Sequence, residues 1–280
     1  MVTLLEKANE ILAEKNEKVK PGNIKKDVVV FNVTGNYDGS ENKIKVPNFV
    51  RFDSASMFSE FYGGTSHDSE SDSYAYPKEN WDSLINFYKN LDFSELKDFS
   101  YMFAELYFNR SADDGQSSIY YPLNLDIDTS SGKIFNNMFS DSCISNAPEL
   151  DLSNAVSTYL MFNSCRGLTD VPVYSIHTSL DDLREMAEFA NKELEEYLHD
   201  NFISGMFGDC DNLSEESLNN ILAMLADEDF PMNKVQPPYA HWKLLNSVVG
   251  LSLDQCNACM ELENWRRCSE LGWEPYAPLN

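Results

Sequence analysis

Positive charge is what this 280-residue chain has least of: 21 Lys and Arg stand against 46 Asp and Glu, for a formal net charge of −25. A surface that acidic repels phosphate backbones and anionic headgroups, which argues against nucleic-acid binding and against docking on anionic lipid. Long apolar runs are missing as well; none approaches the roughly 18 residues of a membrane span. The opening Met1-Val2-Thr3 leads straight into a charged helical pattern, so a secretory leader is not expected. Six cysteines in a chain of this length make no disulfide framework, and reduced thiols packed inside are expected. His67, His177, His199 and His241 are scattered, without triad or HExxH context. Gly63-Gly64 lacks the strand–helix setting of a phosphate loop. Cys256-x-x-Cys259 with Cys268 has no second Cys/His pair at zinc spacing and reads as helix-core thiols. Asp113-Asp114 and Asp126/Asp128 have calcium-ligand chemistry, but acidic loops are expected at this net charge. Nothing singles out a carboxylate pair for glycoside hydrolysis. The expectation is no catalytic residue, no metal and no cofactor.

What is present is a dipeptide that returns. Met-Phe occurs at Met57-Phe58, Met102-Phe103, Met138-Phe139, Met161-Phe162 and Met206-Phe207, which takes five of the ten methionines. The steps of 45, 36, 23 and 45 residues are close to one or two units of about 22, with insertions in between. A period in that range is the signature of a chain that adds one coil per repeat to a stack. Upstream of three copies lie Leu91-Asp92-Phe93-Ser94, Leu125-Asp126-Ile127-Asp128 and Leu150-Asp151-Leu152-Ser153, each with the alternation of a short half-buried strand. Downstream come Cys143, Cys165 and Cys210, five, four and four residues after their methionines. Met and Phe are expected to form internal ladders, with thiols filling the narrower part of each coil.

The run at 150–168 (Leu-Asp-Leu-Ser, then Met-Phe, Cys and Leu) resembles the BspA-type leucine-rich repeats of bacterial surface antigens, which also occur in bacteriophage structural proteins. The likeness covers roughly 47–213 and is looser away from 150–168. A second resemblance lies at the start. Ile11-Leu12-Ala13-Glu14-Lys15-Asn16, then Lys20-Pro21-Gly22-Asn23-Ile24-Lys25-Lys26, then 28–35 is similar to a short module of phage tail and tail-fibre proteins, with Asp27 where that module usually has glycine. The ending resembles the helical cap that follows such repeats in phage proteins. It is carried by Ser217-Leu218-Asn219-Asn220-Ile221-Leu222, by Gly250-Leu251-Ser252 with Gln255 and Cys256, and by Glu270-Leu271-Gly272-Trp273 with Tyr276.

These readings combine into an α+β chain. Residues 1–46 form an N-terminal helix (stripe Leu4, Leu5, Ala8, Ile11, Leu12) and β-turn adaptor; 47–213 form an irregular leucine-rich-repeat-like solenoid of short parallel strands; 214–280 form a helical cap. An inserted helix is expected at 179–200, capped by Ser179, with Leu183, Met186, Ala187, Ala190, Leu194 and Tyr197 as its buried stripe. In the cap, helices are expected at 242–249 and from Ser252 through to Leu271, stopped by Gly272. Two Tyr/Ser/Asp-rich insertions end in Tyr-Pro, 45 residues apart. Tyrosine gives large amphipathic contact at low entropic cost, so Tyr74, Tyr76, Tyr120 and Tyr121 are the candidate ligand contacts. The resemblances imply a bacteriophage virion protein without enzymatic activity, a tail-fibre or tail-associated adhesin assembled in the host cytoplasm. It would be held to other virion proteins through 1–46, form a homo-oligomer in the particle and face a host-surface glycan or protein. Competing expectations are a capsid head-fibre or decoration protein, a bacterial surface adhesin, and a carbohydrate-active enzyme.

Overall fold

The computed structural model describes residues 44–46, 85, 88–89, 91–104, 120–236 and 242–277. Met57-Phe58 and the adaptor, apart from residues 44–46, lie outside the described residues. Strand β1 (Ile44–Lys45) pairs in parallel with β2 (Leu91–Asp92), and β3 (Tyr121–Pro122) with β4 (Ile144–Asn146). Isolated parallel bridges continue from Asp98 to Ile134 to Ser157, and from Asn146 to Asp170.

The four described Met-Phe segments lie side by side, but they are ribbons of turns and not strands. The residue before each methionine is left-handed, with φ of 61° at Tyr101, 53° at Asn137, 54° at Leu160 and 64° at Gly205. A second left-handed residue follows three places after the methionine in the last three segments, at Asp141, Ser164 and Asp209. An extended ladder cannot pass through such residues. The backbone is satisfied another way. The amides of Phe135, Asn137, Phe139 and Asp141 donate to the carbonyls of Ser157, Tyr159, Met161 and Asn163 in the next segment. The amides between them, on Met138, Ser140 and Ser142, donate back to Phe135, Asn137 and Phe139. The same alternation joins 99–103 to 134–138 and 158–164 to 202–208. Neighbouring amides of the ribbon thus find partners by two routes, as burial demands.

Stacked registry brings the rings into line. Phe103, Phe139, Phe162 and Phe207 form one column with centroid steps of 5.4, 5.1 and 5.6 Å and interplanar angles of 4°, 4° and 6°. All four rings and the methionines Met102, Met138, Met161 and Met206 are fully buried. Phe99 stacks on Phe135 in a second, shorter column that ends at buried Thr158. Four residues after Met138, Met161 and Met206, a side chain reaches back to the preceding phenylalanine carbonyl: Ser142 Oγ to Phe103, Cys165 Sγ to Phe139, Cys210 Sγ to Phe162. Ser142 thus takes the position expected of Cys143, which sits one residue out of step and is only half-buried.

Of the three stretches expected as strands, only Leu91–Asp92 pairs as one. The inward–outward alternation holds at 125–128 and 150–153, yet each stretch ends where an acidic side chain folds back on the backbone. Asp92, Asp128 and Asp151 accept the amides of Ser94, Ser130 and Ser153 at 2.9–3.0 Å, an Asx turn that ends the extended run. Side chains then bridge the segments; Thr129 Oγ1 both accepts from Asp151 N and donates to Asp151 O.

The insertion expected as one helix is broken. α1 (Leu180–Phe189) starts at Ser179, whose side chain accepts from Asp182 N, and stops at Ala190. Asn191 adopts φ 55°, Lys192 N donates to Ala187 O and Asn191 N to Glu188 O, which is a Schellman stop. Ala190 is exposed, so it does not belong to the buried stripe. α2 (Leu194–Tyr197) and a wide turn at Leu198–Phe202 return the chain to the stack.

In the cap, α3 (Glu215–Leu225) seals the strand edge with side chains. Ser217 Oγ donates to Thr169 O and accepts from Val171 N, and Asn220 Nδ2 donates to Val171 O. The helix expected at 242–249 is shorter: only Leu245–Val249 is helical, as a wide turn, and Leu244 before it is extended. The last helix is two: α4 (Leu253–Cys259) and α5 (Trp265–Glu270), parted where Asn264 donates twice to Asn219 of α3. Gly250, at φ 95°, lies against the last ribbon; a Cβ there would stand 2.7 Å from Gly208 N. Gly205 and Phe207 donate to Val248 and Val249, so the cap continues the ladder by one rung.

Two substitutions test this packing. Phe162→Ala opens the middle of the column and is expected to cost about 3–5 kcal/mol in urea unfolding. Gly250→Ala combines left-handed strain with a backbone clash and is expected to cost about 2 kcal/mol or more. A loss below about 1 kcal/mol for both would contradict the described packing.

Candidate binding surface

The ribbon has an outer side. With the third residue before each methionine and the Met-Phe pair itself turned inward, the two residues directly preceding the methionine face out. These are Ser100-Tyr101, Asn136-Asn137, Tyr159-Leu160 and Ser204-Gly205, all half-buried or exposed. Tyr101 is 46% exposed. Backbone bonds fix their neighbours: Tyr101 N donates to Asn136 O, Asn137 N to Tyr159 O and Leu160 N to Ser204 O. Asn136 is occupied, since its Oδ1 accepts from Ser157 Oγ and Tyr159 N. The hydroxyls of Tyr101 and Tyr159 and the side-chain amide of Asn137 make no hydrogen bond among the described residues. Leu160 covers Gly205, where a Cβ would lie 2.6 Å from Leu160 Cδ2.

Of the four expected contacts, the structure describes Tyr120 and Tyr121. Tyr74 and Tyr76 lie outside the described residues. Tyr120 is half-buried, and its ring fills the space a side chain would occupy at Gly167, within 1.8 Å of a Cβ built there. The backbone of Tyr121 pairs with Ile144 in β3–β4. The ten Met and Phe residues named from the repeat are core wherever they are described. Sequence patterning does not single out the outer pair of each ribbon, although Asn137 and Gly205 before their methionines carry a signal: both are residues that tolerate φ above zero.

Ionisable groups serve as struts. His177 Nε2 lies 2.9 Å from Asp227 Oδ2, and His199 Nδ1 2.7 Å from Asp200 Oδ1. The hydrogen bonds of His199 and Lys192 hold the Asp200 carboxyl below its usual range. Lys133 and Ser179 do the same for Asp182, tying α1 to the second ribbon. Lys243 is buried in the cap, where Nζ donates to Asn233 Oδ1 and to Leu271 O at the end of α5; burial lowers its pKa to about 8. Among the described residues, no group of three or more His, Cys, Asp or Glu is placed to hold a metal ion. No described helix is long and apolar enough to cross a membrane.

No family model, curated protein or solved structure matches this chain.

Five fully buried thiols set the response to alkali. Burial raises Cys210, Cys259 and Cys268 from the ordinary 9.0 to about 12 and Cys256 to about 11, and lifts Cys165 well above that ordinary value. An acid whose folded pKa is raised contributes stability that is complete below its unfolded pKa and lost as pH climbs toward the folded one. Each thiol therefore removes about 1.4 kcal/mol per pH unit above about pH 9. Lys243 acts in the opposite sense between about 8 and 10.5, but it is one group against five. Urea midpoints should fall between pH 9 and 10.5. Cys165→Ser keeps the bond to Phe139, as Ser142 does to Phe103, and should flatten the slope by about one thiol's share. A slope equal to that of the unsubstituted chain would contradict the assignment of a buried, protonated thiol.

Proposed function

We propose that this chain is a bacteriophage virion structural protein, a tail-fibre or tail-associated adhesin built as an irregular leucine-rich-repeat-like solenoid and acting by contact rather than catalysis. Residues 1–46 attach it to other virion proteins, copies of the chain associate in the particle, and the repeat region is displayed to the host surface. The observation that carries the contact reading is the column Phe103–Phe139–Phe162–Phe207, sealed at one end by the cap. A dry stack held by ring contact and backbone bonds is a rigid spacer that presents its outer residues at fixed intervals. The virion assignment draws on the likeness of 11–35 to phage tail modules and of 150–168 to BspA-type repeats.

The test is made on particles. A chain lacking 1–43, which keeps β1 and buried Val46, should fold but fail to join the virion, as read by labelled antibody against the repeat region. Incorporation of the truncated chain at the wild-type level would overturn the attachment role. Replacing Tyr76 and Tyr121 with alanine should leave assembly normal and slow adsorption to host cells several-fold; unchanged adsorption would remove those two tyrosines from the contact.

A further inference from the structure

We infer that the exposed end of α1, centred on Phe189, is the docking site for the lysine-rich segment 15–26 of the same chain. The inference goes beyond the attachment reading above, since it fixes where the attaching segment meets the repeat region. Phe189 is the last residue of α1 and is 87% exposed, more than any other large apolar side chain among the described residues. Glu185 lies one turn earlier on the same face, beside half-buried Met186, and Glu188 and Glu193 flank the ring in sequence. All three carboxylates are exposed, and none is in an ion pair among the described residues. The nearby cations are already engaged: Arg184 by Asp181 at 2.7 Å and Lys192 by Asp200 at 2.9 Å. α1 also has no basic residue in its last turn, where the negative end of the helix dipole favours one. A bare ring amid carboxylates at a helix C-terminus calls for a partner that is cationic and partly apolar.

Charge and reach name that partner. Residues 47–280 hold 13 Lys and Arg against 39 Asp and Glu, so this part of the chain has no positive charge to spare. Residues 15–26 reverse the balance, with Lys15, Lys18, Lys20, Lys25 and Lys26 against Glu17 alone, and they carry Val19 and Ile24 between the lysines. The segment itself lies outside the described residues, but the chain enters the stack at β1, which begins at Ile44. β1 pairs with β2, and a few residues on from β2 the carbonyl of Lys97 accepts from Lys133 N. Lys133 Nζ in turn holds Asp182, in the first turn of α1, at 2.6 Å. Laid end to end, that route from Ile44 to Phe189 measures about 55 Å, and every bend in it shortens the true separation. The 18 steps from Lys26 to Ile44 span up to about 60 Å. The lysines therefore reach Phe189 within one molecule, and a tethered segment meets the site at a far higher concentration than a free one. Seating 15–26 there holds the preceding stripe of Leu4, Leu5, Ala8, Ile11 and Leu12 beside the stack, at a fixed place for other virion proteins.

The experiment uses the full chain, as a mixture of unlabelled and heavy-isotope-labelled copies. A carbodiimide joins a lysine amine to a carboxylate in direct contact, and the linked peptides are mapped by mass spectrometry. Lysines of 15–26 should couple to Glu185, Glu188 or Glu193 in preference to the other exposed carboxylates, and the linked peptides should be of one isotope. Raising NaCl to about 0.5 M should cut the yield at least fivefold, because the attraction is between exposed charges. Phe189→Ser should cut it as far without lowering the thermal midpoint, since the ring is exposed in the folded chain. The inference is overturned if the lysines couple without preference, or if Phe189→Ser leaves the yield unchanged. Links found only between labelled and unlabelled copies would assign the site to a second copy, against the inference. Incorporation into particles separates this result from the broader reading. No links in a chain that joins the virion normally would remove this contact and leave attachment standing. Links in a chain that never joins the virion would remove attachment and leave the contact standing.

Discussion

Alternation of backbone amides, one closing a turn within its own segment and the next donated to the neighbouring segment, is the constraint on which the rest of this molecule depends. It lets a chain that passes repeatedly through left-handed conformations still stack like a parallel sheet. Once the segments are locked in register, equivalent side chains have no freedom to sit anywhere but above one another. Ring centroids then follow the chain-to-chain step, and the phenylalanine planes come within 4–6° of parallel. Burial of these large rings drives the stack together, while the amide pattern decides its register.

The two ends of each ribbon follow from the same constraint. Side chains at the position held by Ser142, Cys165 and Cys210 fill the second lone pair of a phenylalanine carbonyl, so a thiol in that place works as a buried hydrogen-bond donor. At the cap, strand edges that would otherwise offer themselves to another chain are closed by Ser217 and Asn220, and the last ribbon is met by Gly250 at a distance no other residue allows.

Much of this architecture is legible in the sequence. The Met-Phe dipeptide marks the register of every described segment, and the alternation of 125–128 and 150–153 marks which residues turn inward. What is not legible has local causes. A left-handed residue before each described Met-Phe pair makes those segments ribbons of turns, and only Asn137 and Gly205 announce it by type; Tyr101 and Leu160 do not. Asp92, Asp128 and Asp151 read as exposed strand residues, yet each carboxylate captures an amide two places on, a local competition that periodicity cannot register. Cys143 keeps step by eye but misses by one residue, and Ser142 takes its place. Asn191 stops the inserted helix through a Schellman bond pair that the apolar stripe runs straight across. Among the candidate contacts, composition puts Tyr120 in a loop, but the small residue facing it, Gly167, is far away in sequence and gives no hint of the packing. The outer side of the ribbon is hard to see because its residues belong to the repeat and not to an insertion.

Hydrogen exchange on the folded chain tests the locked register most directly. The amides of Phe103, Phe139 and Phe162 leave their own segment, and those of Met102, Met138 and Met161 stay within it. If the segments form one cooperative stack, both sets exchange together, at the free energy of global unfolding and with the same denaturant dependence. Rapid exchange at Phe103, Phe139 and Phe162 while the methionine amides remain protected would mean independent turns without a common column, contradicting the locked register.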